Sequence, residues 1–220
     1  MNTTNPLLGI FGGTFDPIHY GHLRTALHVQ QTCQLEQVRL MPCHLPAHRA
    51  SPGVSAVQRA EMVQLAIAPY PQLALEPLEL RQHRPSYSAI SLAQLKQQYP
   101  KHQLAFILGM DAFNQFTRWH RWQQILQLAD LIVCQRPDYE QLSAESQALL
   151  VKRQLQQPQD LQQRGQGRIL VLENPLLAVS ASQLRAELPK LASCPEWLPS
   201  AVWNYIRQHE LYTSRVTSQP

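Results

Sequence analysis

An α/β fold, a mainly parallel sheet with helices on both faces, is predicted by two features of this sequence. Short apolar runs of strand length recur along the chain, and segments with helical periodicity separate them. Leu7–Phe11 reads as the first strand, ended by Gly12–Gly13, and His22–Gln31 as the helix after it. Gln37–Met41 is a second strand, stopped by Pro42. Val57–Ala68 is a helix with Met62, Leu65 and Ala66 on one face, and Leu73–Leu75 is a short third strand. Ser88–Gln98 continues as helix, Leu104–Leu108 as strand, Trp122–Leu128 as helix and Leu131–Cys134 as strand. Ala144–Leu155 can form a helix. Ile169–Leu172 is the last strand, before helices at Ser182–Leu188 and Ala201–His209. Two stretches break the rhythm. Cys43–Ser55, with two prolines, a glycine, His44, His48 and Arg49, reads as a structured loop; Gln154–Gly167, rich in glutamine, reads as a solvent-facing connection or a linker. The strand after that connection is needed by the same sheet, so residues 1–220 are read as a single domain with a C-terminal helical portion from about 180.

Composition narrows the class. At 220 residues the chain can bury a sizeable core without crosslinks. Only 15% of residues are charged, and 29 glutamines fill much of the polar surface. A net charge of +4 suits an anionic ligand and is too small to indicate nucleic-acid binding. The cysteines at 33, 43, 134 and 194 form no C-x-x-C pair, which fits reduced thiols in a cytoplasm. The run Leu7–Phe11 is too short for a signal-peptide core, and no stretch approaches the roughly 18 apolar residues of a membrane span. A soluble cytoplasmic protein, a monomer or weak homo-oligomer with no nucleic-acid or membrane partner, is expected.

The strongest chemical signal follows the first strand: Gly12-Gly13-Thr14-Phe15-Asp16-Pro17-Ile18-His19-Tyr20-Gly21-His22. Adjacent glycines admit backbone angles denied to other residues and let a ligand approach the main chain. The helix starting near Gly21 presents backbone N–H groups to an anion. His19 and His22, three apart, can aim both rings into one pocket at the carboxyl end of the strand, where open parallel sheets bind ligands. The same residues could instead form a tight turn with two capping histidines; a zinc site lacks a nearby third ligand. The pattern is neither the dinucleotide fingerprint nor the P-loop.

This run closely resembles the G-G-T-F-D-P-x-H-x-G-H signature of adenylyltransferases of the H-x-G-H nucleotidyltransferase superfamily. More narrowly, the chain resembles the bacterial nicotinate-nucleotide adenylyltransferases from Leu7 to about Tyr212. The resemblance implies a Rossmann-like sheet of the nucleotidyltransferase type, with Gly12, Gly13, Thr14 and Phe15 at the nucleotide and His19 and His22 at the transferring phosphate. His48 and Arg49 lie in what resembles the family's P-P-H-K/R phosphate loop, with Ala47 replacing the second proline. Pro85–Ser88 resembles P-S-Y-T: Ser88 either caps its helix or contacts the nicotinate end. Asp111, in a G-x-D segment, either caps the next helix or accepts from ribose hydroxyls. Trp119 is either partly buried core or, as in the resembling enzymes, a stacking surface for the pyridine ring. His120, replacing a commoner tyrosine, is implied to hold the ring's carboxylate through its backbone. Arg136, in a C-x-R-P-like block with Gln135 in place of arginine, faces ATP or braces its loop. Val179–Arg185 resembles I-S-S-T-x-I-R, with Ala181 and Ser182 replacing Ser-Thr. There Ser180, Ser182 and Arg185 are implied at the triphosphate, and Ser182 can cap its helix.

The implied reaction is adenylyl transfer from ATP to nicotinate mononucleotide, yielding deamido-NAD and pyrophosphate in NAD biosynthesis. An already ionised phosphate nucleophile leaves the protein to position the reactants and neutralise charge. Magnesium is expected on phosphate oxygens and water, with no residue assigned as its ligand. The rival acceptors are nicotinamide mononucleotide and phosphopantetheine; the rival class is a noncatalytic nucleotide-binding module, against which both histidines stand.

Overall fold

The strands are β1 (Leu7–Gly13), β2 (Gln37–Pro42), β3 (Leu73–Leu75), β4 (Gln103–Gly109), β5 (Ala129–Gln135) and β6 (Ile169–Glu173). In the computed structural model, which describes residues 5–45, 54–81, 85–135, 142–163, 165–174 and 181–213, they form one sheet in the order β3–β2–β1–β4–β5–β6. Every pairing is parallel. The helices are α1 (Tyr20–Thr32), α2 (Ala56–Ile67), α3 (Ser88–Gln98), α4 (Met110–Phe113), α5 (Trp122–Leu128), α6 (Ala144–Arg153), α7 (Ala181–Glu187) and α8 (Ser200–Gln208). The expected α/β class is therefore observed, and β1 and β2 run one or two residues past their apolar runs.

Alternation along each strand builds two cores. Phe11, Leu40, Ile107, Ile132 and Leu172 join the buried residues of α1, α2 and α8. Their neighbours Ile10, Met41, Phe106 and Val133 join those of α3, α5 and α6. Strand order runs outward from β1 through β2 to β3, then returns to the other side of β1 with β4. That reversal opens a crevice beyond the carboxyl ends of β1 and β4, between Gly12–Gly13 and Gly109–Asp111.

Gln154–Gly167 departs from a purely solvent-facing connection. Pro158–Gln162 forms a 3-10 turn that drives Leu161 into the core at 0% exposure, and Gln154 bridges to Ile169. The anchor lies at the opposite edge of the sheet from the crevice. Arg168 donates through Nε (3.1 Å) and Nη2 (2.7 Å) to the fully buried Asp130, and through Nη1 to the Asp160 carbonyl. Gln103 donates to the same carboxylate at 2.7 Å.

Candidate active site

Gly12 and Gly13 serve this turn through their missing side chains, not through unusual backbone angles. Among the described glycines only Gly167 has a positive φ. A Cβ on Gly13 would lie 2.9 Å from the Phe15 ring, and one on Gly12 would lie 3.2 Å from Phe106. The left-handed residue is Phe15 itself, at φ 48°, with its ring buried against Phe11 and His22.

The two histidines do cap. His19 Nδ1 accepts from the Gly21 amide at 3.1 Å, and His22 Nδ1 accepts from the His19 amide at 3.4 Å. This reciprocal pair resembles a capping box made by imidazoles, and it places the proton of each neutral ring on Nε2. The rings lie 3.8 Å apart between centroids; His19 is buried and His22 half-buried. The expected open amides at this helix start are already used. Tyr20 N donates to Trp197 O at 2.9 Å, and His22 N donates to His19 O at 3.0 Å. Anion binding here therefore falls to side chains and the glycine-rich strand end.

Arg185 reaches the same turn. Its Nη1 donates to the Asp16 carbonyl at 2.7 Å and lies 3.8 Å from Asp16 Oδ2; its Nη2 donates to Ser182 Oγ at 3.2 Å. Ser182 is thus the second residue of α7 and not its cap. Tyr212 donates to the other Asp16 oxygen, Oδ1, at 2.6 Å. Burial and the neighbouring carboxylate push the phenol far above its ordinary value, so it stays a donor.

Two residues with no place in the sequence reading complete the site. Arg59 of α2 is fully buried and donates to the carbonyls of Thr14 (2.5 Å), Cys43 (2.6 Å) and His44 (3.1 Å). One guanidinium thereby ties the end of β1 to the end of β2. Glu79, 3% exposed, takes hydroxyl donors from Ser91 (2.6 Å) and Ser86; burial pushes its carboxyl up, and the hydroxyls oppose that. Ser86 Oγ in turn accepts from the His44 amide.

A cavity of about 480 Å³ opens between these parts. Gly12, Gly13 and Thr14 line it together with Glu79, Ser86 and Ser88 and with Phe106, Asp111 and Trp119. The expectation that Trp119 shares the crevice with the glycine turn holds. Its ring is half-buried, edge-on to Phe106 at 6.3 Å and tilted against Phe116 at 5.7 Å. Ser88 is the first residue of α3 and does not cap it; Tyr87 holds the cap position without a side-chain bond, which leaves the Ser88 hydroxyl at the cavity. Asp111 likewise caps nothing, because Gly109 precedes α4 in that position. His120 is exposed, its ring 4.7 Å from Tyr87. His19, His22, Ser182 and Arg185 are not among the cavity's lining residues; the two histidine rings pair within the turn, and Arg185 joins Ser182 to its Asp16 carbonyl. His48, Arg49, Arg136 and Ser180 lie outside the described residues.

A doubly wound sheet of this order, with a glycine-walled crevice at its reversal point beside a histidine-capped turn, is an α/β fold of the nucleotidyltransferase type. Residues 10–187 match the Cytidylyltransferase-like family, and the chain belongs to that family. It is 46% identical to a probable nicotinate-nucleotide adenylyltransferase of Cellvibrio japonicus, over 94% of this chain and 99% of that protein. A second probable nicotinate-nucleotide adenylyltransferase, from Aeromonas hydrophila, is 43% identical over 94% and 97%. Among solved structures, the fold resembles Plasmodium falciparum nicotinic acid mononucleotide adenylyltransferase complexed with NaAD. The TM-score is 0.73 at 17% identity, covering 94% of this chain and 97% of that one.

Proposed function

We infer that this chain transfers the adenylyl group of ATP to the 5′-phosphate of nicotinate mononucleotide, giving deamido-NAD and pyrophosphate in NAD biosynthesis. The observation that carries the reading is the single crevice in which Gly12–Gly13 faces Ser88 and Trp119, with the histidine turn directly behind the glycines. Near-full-length relatives bearing that activity in their names support it.

A phosphate oxygen of the mononucleotide attacks the α-phosphorus, one P–O bond forms, and the bond to the β-phosphate bridging oxygen breaks. The nucleophile arrives ionised, so no general base is required. His22, with its proton on Nε2, donates to the α-phosphate oxygens as charge builds there; buried His19 holds the helix start and the ring pair in place. Arg185 and Ser182 meet the leaving phosphates, and the resemblance alone assigns His48, Arg49, Arg136 and Ser180 to the nucleotide as well. Asp111 receives ribose hydroxyls. Among the described residues no group of three His, Cys, Asp or Glu could hold an ion, and magnesium enters on the triphosphate as part of the nucleotide substrate. Residues 1–220 act as one domain, with Arg185 of α7 and the Trp197 carbonyl bonded to the turn. No helix among the described residues is long and apolar enough to cross a membrane, and the four free thiols suit the cytoplasm.

At the pyridine end, Trp119 stacks on the ring while the Ser88 hydroxyl and the His120 amide offer donors to a carboxylate; the Trp119 amide is already bonded to Phe116 O at 3.0 Å. Stacking treats acid and amide alike, but an amide NH2 facing donors leaves polar groups opposed. The expected outcome is at least about tenfold higher kcat/KM for nicotinate than for nicotinamide mononucleotide, roughly 1.4 kcal/mol of selective transition-state binding. Initial rates of dinucleotide and pyrophosphate formation across an acceptor panel, phosphopantetheine included, decide it. Preference for another acceptor would reassign the substrate; no turnover with any would retire the reaction.

A further inference from the structure

The Asp16 carboxylate is 6% exposed and is shared between two partners from the far end of the chain. Oδ1 accepts from Tyr212 at 2.6 Å; Oδ2 stands 3.8 Å from Arg185 Nη1, beyond direct hydrogen-bond length. Arg185 meanwhile uses that nitrogen on the Asp16 backbone carbonyl and keeps a side chain 39% exposed. A carboxylate and a guanidinium this close ordinarily close into a two-pronged pair. Here the phenol occupies one prong.

The segment carrying Tyr212 is held in position at a conformational cost. Glu210 (φ 49°) and Tyr212 (φ 58°) are both left-handed, a state that non-glycine residues keep only where their surroundings fix it. Leu211 N bonds back to Ile206 O at 3.0 Å, and Leu211 and Tyr212 pack on the core beneath the turn. Trp197 O, just before the last helix, takes the Tyr20 amide. The C-terminal segment is thus fitted to the underside of the phosphate turn at two points.

We propose that Tyr212 is a positioning residue: by engaging Asp16 Oδ1 it prevents Asp16 from capturing Arg185, and so keeps the guanidinium available to the triphosphate. This rests on the adenylyl-transfer reading. Removing the hydroxyl frees Oδ1, lets Asp16 and Arg185 close on one another, and withdraws the arginine from ATP.

Tyr212→Phe deletes one oxygen and keeps the packed ring, so the fold is retained. The expected result is a rise in KM for ATP and a fall in kcat/KM for ATP of about tenfold, with KM for the mononucleotide unchanged. The discriminating measurement is a double-mutant cycle with Arg185→Lys, whose ammonium cannot form the two-pronged pair. Adding Y212F to R185K should then do little. Independent, multiplying effects of the two changes would overturn the proposal, as would wild-type ATP kinetics in Y212F alone. Should Y212F prove unfolded, Asp16→Asn supplies the same test, since an amide cannot capture Arg185: R185K kinetics in D16N would overturn the proposal, and near-wild-type KM for ATP would support it. An inactive wild-type chain would instead retire the reaction itself.

Discussion

His22 caps through one ring nitrogen and, in the proposed reaction, serves the phosphate through the other; a suitable pair of substitutions separates the two. Its Nδ1 accepts from the His19 amide, which leaves the proton on Nε2 for the proposed phosphate contact. His22→Ala removes both. Turnover should fall by up to the roughly 2.7–4 kcal/mol seen when one strong anion-stabilising donor is lost, and the melting temperature should fall with the cap. His22→Asn keeps a short side-chain acceptor near the Nδ1 position. It should recover the melting temperature without recovering kcat, in steady-state assays and thermal denaturation run side by side. Unchanged turnover in a folded His22→Ala would remove this residue from the chemistry.

At the scale of elements, α2 is the one whose purpose is least apparent from its position. It lies on the β2–β3 side of the sheet, yet it sends Arg59 under the ends of both β1 and β2. Arg59→Met would keep much of the volume and leave three carbonyls without their donor. At about 1–3 kcal/mol for each buried group left unpaired, the loss should reach several kcal/mol, read as a fall in melting temperature of about 10 °C. KM for both substrates should rise as well, because the turn and the β2 loop lose their common tie. The strands and helices themselves were legible, since alternation and helical spacing are local patterns: α3 and α5 run over Ser88–Gln98 and Trp122–Leu128, as read from the sequence. The glycine turn, Trp119 and Ser88 were likewise found at one cavity. Arg59, Glu79 and Tyr212 were not, because each acquires its role from a partner distant in the chain. A signal existed for Arg59, which sits on the buried stripe with Ala60, Met62, Val63 and Ala66, where a charge is out of place. Glu79 offers no such signal; its four-residue turn is too short for any periodicity. The capping expectations for Ser88, Asp111 and Ser182 failed by a residue or two, which is the usual uncertainty of a helix boundary.

Over the whole molecule, anchoring and chemistry occupy opposite edges of the sheet. Asp130 and Arg168 join β5, β6 and the 158–162 turn where the strands begin; the crevice lies where they end. Asp130→Ala leaves the half-buried arginine without its anion, a change that costs up to about 3 kcal/mol, at the low end of the range for breaking a buried pair. Thermal denaturation should show a fall of up to about 10 °C, while KM for ATP and for the mononucleotide stays at the wild-type value. A shifted KM would mean that the two edges communicate through the strands.

The turn over residues 12–22 takes its supports from residues 59, 185, 197 and 212. On a ribosome, this turn emerges well before the residues that hold it, so its shape waits on contacts made much later. β1 can pair with β2 early, and with β4 once residue 109 is out. Arg185 and Tyr212 emerge later than every strand of the sheet, and the long closures they make are those that slow folding most. A nascent chain would therefore carry the six-stranded sheet and the cavity at Trp119 before the turn was fixed. Under the proposed reaction, competence for transfer waits on residue 212.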